Sequence, residues 1–308
     1  MPRPSSRPGA ALALMLVATL AFAGMQTTVK LARDAGIGTL EVMFVRNAPA
    51  IPVLLFLLRR RGAGVWPEAP REVLVRSLFG VVAMATNFAA MGELGVAEFA
   101  TLILLQPVFM ALAAPMLLGE RVSARTWGAL GVALGGAVVA VAPVGPGLAL
   151  PPVASALAVG SALAAALAQI WIRRATASEP AERVVVHFYA LVSLVSASAA
   201  LAAGQDWGPT PTVTVGRYAA LTAGMAGLGT LGQVLMTRAY SLGQATPVAI
   251  VGYSGIGFGL GCDLLFFGRL PTPRGLAGAL VLGLAGLLLV RAGRRVPVRG
   301  SPDLGQDG

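Results

Sequence analysis

The sequence predicts an all-α integral membrane protein with ten transmembrane helices arranged as two inverted five-helix repeats, and three observations carry that reading. Of 308 residues, 56% are hydrophobic and 12% charged, with mean hydropathy +0.78; soluble domains carry about a quarter charged residues. The apolar residues fall in blocks of about 20, the length at which a helix crosses the hydrocarbon core. The two halves of the chain share a weak internal similarity. A water-soluble enzyme is excluded by composition, and the period-two alternation of a transmembrane barrel is absent.

Arg, Pro and Gly punctuation delimits the blocks in order. The first, 10–31, follows Arg3 and Arg7 and is expected as a helix, although Ala21-Phe22-Ala23 imitates a signal-peptidase site; the apolar run continues past it to Val29. The next four are expected over 39–58, 72–92, 97–118 and 124–142. The second half then reads 151–172, 184–203, 216–236, 246–267 and 275–291, with a disordered cytoplasmic tail over 292–308. Backbone groups in lipid must bond within their own segment, so blocks of this length are helices.

Charge supplies the orientation. The net charge is +10 and every basic residue but Lys30 is arginine. With both termini cytoplasmic, 17 arginines fall inside, among them Arg59, Arg60, Arg61, Arg76, Arg173 and Arg174, whereas Lys30, Arg33, Arg217, Arg269 and Arg274 are the 5 outside. That asymmetry fits N-in, C-in topology in a bacterial inner membrane. The arginines sit between apolar blocks and not on one stripe, so nucleic acid is not expected as a partner; the lipid bilayer is.

The stretch around the fourth and fifth spans overlays that around the ninth and tenth at an offset of 148 to 150 residues. Leu94-Gly95 falls on Leu242-Gly243, Pro107 on Gly255, and Gly128, Gly131, Gly135 and Gly136 on Gly278, Gly283 and Gly286. Five spans per half is odd, so the second copy lies upside down; inverted repeats place a site between them near the midplane and move by alternating access. The expected halves are 10–142 and 151–291.

Pro107-Val108-Phe109 followed by Leu117-Leu118-Gly119-Glu120-Arg121-Val122, with Val29-Lys30-Leu31-Ala32 and Glu41-Val42-Met43-Phe44-Val45-Arg46-Asn47, resembles the EamA-like family of the drug/metabolite transporter superfamily over about residues 10 to 292. The resemblance implies ten spans, two repeats and a carrier for a small polar or amphipathic metabolite. Gly268-Arg269 departs from the Gly-Glu that family members commonly carry after the ninth span.

Candidate substrate contacts are polar groups at membrane depth. Arg46 lies roughly 10 Å below the outer edge at about 1.5 Å per residue. Its guanidinium fork suits a carboxylate or phosphate, and the alternative is a structural ion pair. Asp263 is expected either as the Arg46 counter-ion, as a titrating group, or as an interfacial charge. Lys30 and Glu98 open helices that should line a cavity, whereas Glu41 and Glu93 read as solvated end charges. Among neutral residues, Gln106 beside Pro107 and Tyr253 near Gly255 are favoured, with Asn87, Gln26 and Trp171 behind them. Glu120 and Arg121 read as a turn pair, and His187 as an interface residue. The Gly runs 224–232 and 255–261 read as close helix packing, and the Gly-rich fifth and tenth spans also offer a homodimer face.

With one His and one Cys, Cys262, no metal or haem site and no cofactor are expected. No Gly-x-x-x-x-Gly-Lys-Ser/Thr loop is present, so transport would be secondary and not ATP-driven. No acid lies in the body of the first span, so the proton exchange of four-span relatives does not carry over. An intramembrane enzyme would need a nucleophile and base or a metal cluster at depth, which the sequence does not display. A non-transporting membrane scaffold would need neither a duplication nor Arg46.

Overall fold

The computed structural model describes residues 7–91, 93–94, 96–141, 151–209, 213–270 and 272–293. The elements among them are all helices: α1 (Pro8–Asp34), α2 (Thr39–Asn47), α3 (Ala50–Arg60), α4 (Pro70–Met91), α5 (Val96–Ile103), α6 (Gln106–Leu118), α7 (Ala124–Val141), α8 (Pro152–Ala175), α9 (Ala181–Ala202), α10 (Val215–Leu242), α11 (Ala245–Val251), α12 (Ser254–Phe267) and α13 (Pro273–Gly293). The expected tail over 292–308 falls almost entirely outside the described residues. Seven helical stretches are long and apolar enough to cross a membrane, and Ala124–Ala140 and Pro273–Ala285 are shorter apolar helices. Large apolar side chains including Leu20, Phe56, Leu78, Met116, Leu194 and Leu280 cover the outside of the bundle, as lipid exposure demands.

Three expected spans, 39–58, 97–118 and 246–267, are each two helices. Pro49 has no N–H to return to Val45, and α2 gives way to α3 there. Before Pro107 the chain tightens to three-residue hydrogen bonds, Leu104 N to Thr101 O and Leu105 N to Leu102 O. The break at Gly252 repeats this pattern, with Gly252 N on Ala249 O and Tyr253 N on Ile250 O. Freed at its break, the Leu104 carbonyl accepts a hydrogen bond from the Tyr253 hydroxyl. Both C-terminal pieces also end alike, α6 at Gly119 (φ +65°) and α12 at Gly268 (φ +62°), a left-handed cap that glycine adopts at least cost.

The principal helix pairings come in matched sets. α1 packs along α10 as α4 packs along α8; α7 lies on α13; α2 and α3 lie on α9. α1 and α10 approach closely because a Cβ at Gly224, Gly229 or Gly232 would meet Thr28, Met25 or Phe22 of α1 at 3.1, 3.0 and 2.8 Å. The 255–261 run differs: nothing lies within 4 Å of a Cβ at Gly259 or Gly261, so these are not tight-packing positions. Of the Gly-rich fifth and tenth spans, Gly136 and Gly278 are used within the chain, where Cβ atoms would strike Val281 and Ala140 respectively.

The two ends of the bundle differ in charge. The Arg-rich end, where α1 begins, is tied by three carboxylates. Glu182, buried, accepts from Arg61 Nη1 at 3.2 Å and from Arg238. Glu179, also buried, accepts from Arg183 Nη1 at 2.6 Å and from the Ala69 N–H at 2.7 Å. Glu120 meets Arg173 Nε at 2.7 Å and the Ala245 N–H of α11 at 2.8 Å. The expected turn pair of Glu120 with Arg121 is therefore corrected: the carboxylate, little exposed, faces α8 and α11, where Arg173 and the Ala245 N–H reach it. His187 Nδ1 stays on its own helix, against Arg183 O at 2.9 Å.

At the opposite end Glu41 is not a solvated charge but a buried one, accepting from Tyr218 Oη at 2.6 Å and Gly208 N at 2.8 Å.

Candidate functional site

Between α1, α2, α4, α6, α8, α9 and α10 lies a cavity of about 270 Å³, slightly below the range of roughly 300 to 1,000 Å³ usual for drug-sized ligands. Its polar wall is Arg46, Arg76, Gln26, Asn87, Gln106, Gln169, Gln233 and Ser161, set among Val29, Val42, Met43, Met84, Ile103, Phe188 and Met236. No carboxylate lines it among the described residues.

Each polar group has a local reason for its place. Arg46 lies in the last turn of α2, where the carbonyl end of the helix carries partial negative charge and favours a cation by about 0.3 to 1 kcal/mol. Its stem runs past Gly229 of α10, where a Cβ would stand 3.6 Å from both Arg46 Cγ and Nε. Arg76 is almost fully buried and stacks its guanidinium 3.8 Å over the Phe188 ring. Gly80, one turn along α4, makes that sandwich fit, because a Cβ there would strike Arg76 Nη1 and come within 2.6 Å of Phe188. Gln106 opens α6 immediately after the Leu104-Leu105 break. Ser161 donates to Ala83 O at 2.8 Å and stitches α8 to α4, and Gln169 accepts from Tyr240.

Neither arginine forms an ion pair among the described residues. Arg46 Nε, Arg76 Nε and Nη1, and Gln233 Nε2 are buried without a hydrogen-bond partner. A cation–π stack contributes about 0.5 to 2 kcal/mol, whereas an unpaired charge in a protein interior costs several kcal/mol. Phe188 alone therefore leaves Arg76 under-compensated.

Of the sequence candidates, Arg46, Gln106 and Asn87 meet on this wall, together with Gln26. The others lie elsewhere. Asp263 takes Lys30 as its partner, Nζ to Oδ1 3.3 Å, with the Lys30 ammonium also 3.9 Å from the Phe267 ring centroid. The expected Arg46 pairing is thereby corrected: α12 sets Asp263 against the end of α1, not against α2. Tyr253 is buried and spans the two broken helices through Leu104, away from the cavity wall. Trp171 carries Arg174 4.6 Å from its ring centroid and does not line the wall. The Glu98 side chain lies outside the described residues. Arg76, Gln169 and Gln233 were not singled out from sequence. Arg76 counts as an end charge when loops are tallied, and the one available signal was its depth of several residues inside the 72–92 block.

Comparison with known proteins agrees with this architecture. Residues 9–142 match the EamA-like transporter family. The chain is 28% identical over 278 residues to the pseudopaline exporter CntI of Pseudomonas aeruginosa, covering 90% of this chain and 95% of the relative. It is 26% identical over 241 residues to a riboflavin transporter of Rhizobium johnstonii, covering 77% and 76%. Solute carrier family 35 member G1 of Homo sapiens is 25% identical over 271 residues, covering 79% and 72%. A crystal structure with 18% identity superposes with TM-score 0.77, over 92% of this chain and 99% of the other, which shows a shared fold. The chain is a multi-pass membrane protein whose first half is similar to EamA-like transporters.

Proposed function

We propose that this protein is a secondary carrier of a small polar or amphipathic metabolite, working by alternating access around the cavity that holds Arg46. Ten spans form two five-helix halves, 10–142 and 151–291, inverted relative to each other. The matched pairings α1 on α10 and α4 on α8 support that arrangement, as do the paired breaks at Leu104 and Gly252 and the paired caps Gly119 and Gly268. The Arg-rich end faces the cytoplasm of a bacterial cell, following the positive-inside bias, and both termini lie there.

The observation that carries the reading is a central cavity with a charged and amide wall inside an apolar helix bundle. Intramembrane polar groups at such cost mark a solute path. Arg46 anchors an acidic group of the solute, and Asn87 and Gln106 supply orienting hydrogen bonds. The alternating step opens the Arg-rich end, which requires the Arg173–Glu120 link between α8 and the α6–α7 turn to part.

The test is uptake and efflux of labelled amino acids, nucleosides and their derivatives, and sugars in vesicles. The wild type is expected to move a defined subset, and Arg46→Ala, inserted to the same level, is expected to lose it. Movement of none of the panel by the wild type contradicts the carrier reading.

A further inference from the structure

Every unpartnered buried polar atom on the cavity wall is a donor: Arg46 Nε, Arg76 Nε and Nη1, and Gln233 Nε2. No lining residue is acidic among those described. Among the described residues the cavity thus holds two positive charges with no counter-charge, and a surplus of N–H groups with no acceptor. Arg46 reaches the wall from α2, anchored on α10 at Gly229; Arg76 reaches it from α4, held flat by Phe188. The two cations come from different helices with separate supports.

We propose that the solute carries two separate acidic groups, one met by Arg46 and the second by Arg76, which makes Arg76 a specificity-determining residue. The assignment rests on the carrier reading above. A solute with one acidic group would leave one guanidinium uncompensated in the cavity, at a cost in affinity that a diacid avoids. A planar guanidinium stacked on an aromatic ring keeps its edge free for bidentate contact with a carboxylate, which an ammonium does not. Gln233 and Gln169 then complete the acceptor-rich ligand's hydrogen bonds.

The test uses the full chain purified in detergent, with unfolding followed by tryptophan fluorescence at constant ionic strength. Propionate, succinate, glutarate and inorganic phosphate serve as probes against wild type, Arg46→Gln, Arg76→Gln and Arg76→Lys. A ligand that binds the folded state raises the midpoint, by an amount that grows with the logarithm of its concentration over Kd. The wild type is expected to respond to one of the dicarboxylates at concentrations about tenfold or more below propionate, and each Gln variant to erase that advantage. Arg76→Lys, which keeps the charge but not the fork, is expected to lose most of it and supplies the comparison if Arg76→Gln folds poorly.

Equal response to propionate and both dicarboxylates, a dicarboxylate response untouched by either Arg76 substitution, or no response to any anion overturns the proposal. So does a response to phosphate alone that needs both arginines, which would place one phosphoryl group across them. Vesicle transport separates this from the carrier reading. Neutral solutes moved equally by wild type and Arg76→Gln leave the carrier standing and remove the diacid; diacids that bind but do not cross do the reverse.

Discussion

At the Arg-rich end, the Glu179 carboxylate has no exposure to solvent, yet Arg183, itself 5% exposed, donates to it at 2.6 Å. In the cavity, Arg76 is buried and Arg46 half-buried with its Nε fully enclosed, and no carboxylate among the described residues reaches either. The first arrangement is complete within the chain, so its function is to hold helices together. The second has no counter-charge among the described residues. Burial of charge alone therefore does not separate the two regions; the presence or absence of a partner among the described residues does.

Substitutions on the two sides of that contrast should move stability in opposite directions. The largest effect is expected at Glu179→Gln, which removes the nearer counter-charge of the buried Arg183, leaving it the exposed Glu68 at 3.6 Å and the Gly64 carbonyl, and weakens the link to Ala69; loss of one partner of a buried pair costs up to about 3 to 5 kcal/mol. A clear fall in the unfolding midpoint in detergent checks it, with transport lost only in step with folded protein. Arg46→Gln should do the reverse. It removes an uncompensated charge, so the ligand-free midpoint stays level or rises, while uptake falls about ten- to a hundredfold through the lost charged hydrogen bonds. A matching fall in stability at Arg46→Gln would place it with the structural pairs and break the contrast.

Glu120→Gln is intermediate. It weakens Arg173 and the cap on α11, each hydrogen bond to a charged group being worth about 1.5 to 3 kcal/mol. The expected outcome is a population shift towards opening at the Arg-rich end. Faster maleimide labelling of Ile172→Cys, in a Cys262→Ser background, reports it, since Ile172 lines the cavity on α8. The smallest effect is expected at Tyr253→Phe, which removes one hydrogen bond to Leu104 O and costs about 0.5 to 1.5 kcal/mol, read as a small drop in midpoint with transport retained.

The helical blocks were legible in the sequence because the bilayer imposes a length and Arg, Pro and Gly mark the ends; α8 over Pro152–Ala175 against the expected 151–172 is representative. A bend at Pro107 and near Gly255 was also legible, because a mid-span Pro frees a carbonyl and Gly permits close approach; the break at Pro49 was not. Pro49 and Pro107 are tolerated within apolar runs, and whether the freed carbonyl finds a new donor depends on a distant residue such as Tyr253. Arg46 stood out by depth, since nothing else ionisable lies so far into its block. Arg76 did not, because near the start of a block an arginine looks like one more inside charge; only the stack on Phe188, 112 residues away, turns it towards the cavity. Partner choice was the weakest inference. Asp263 with Lys30 and Glu120 with Arg173 depend on which helices adjoin, and a weak repeat does not encode that.

The most direct test of the central claim is solute counterflow in proteoliposomes loaded with unlabelled solute, comparing wild type, Arg46→Ala and Glu179→Gln at equal folded, inserted protein. The account predicts accumulation of label by wild type and by the folded fraction of Glu179→Gln, and none by Arg46→Ala. Accumulation by Arg46→Ala at the wild-type rate would contradict it.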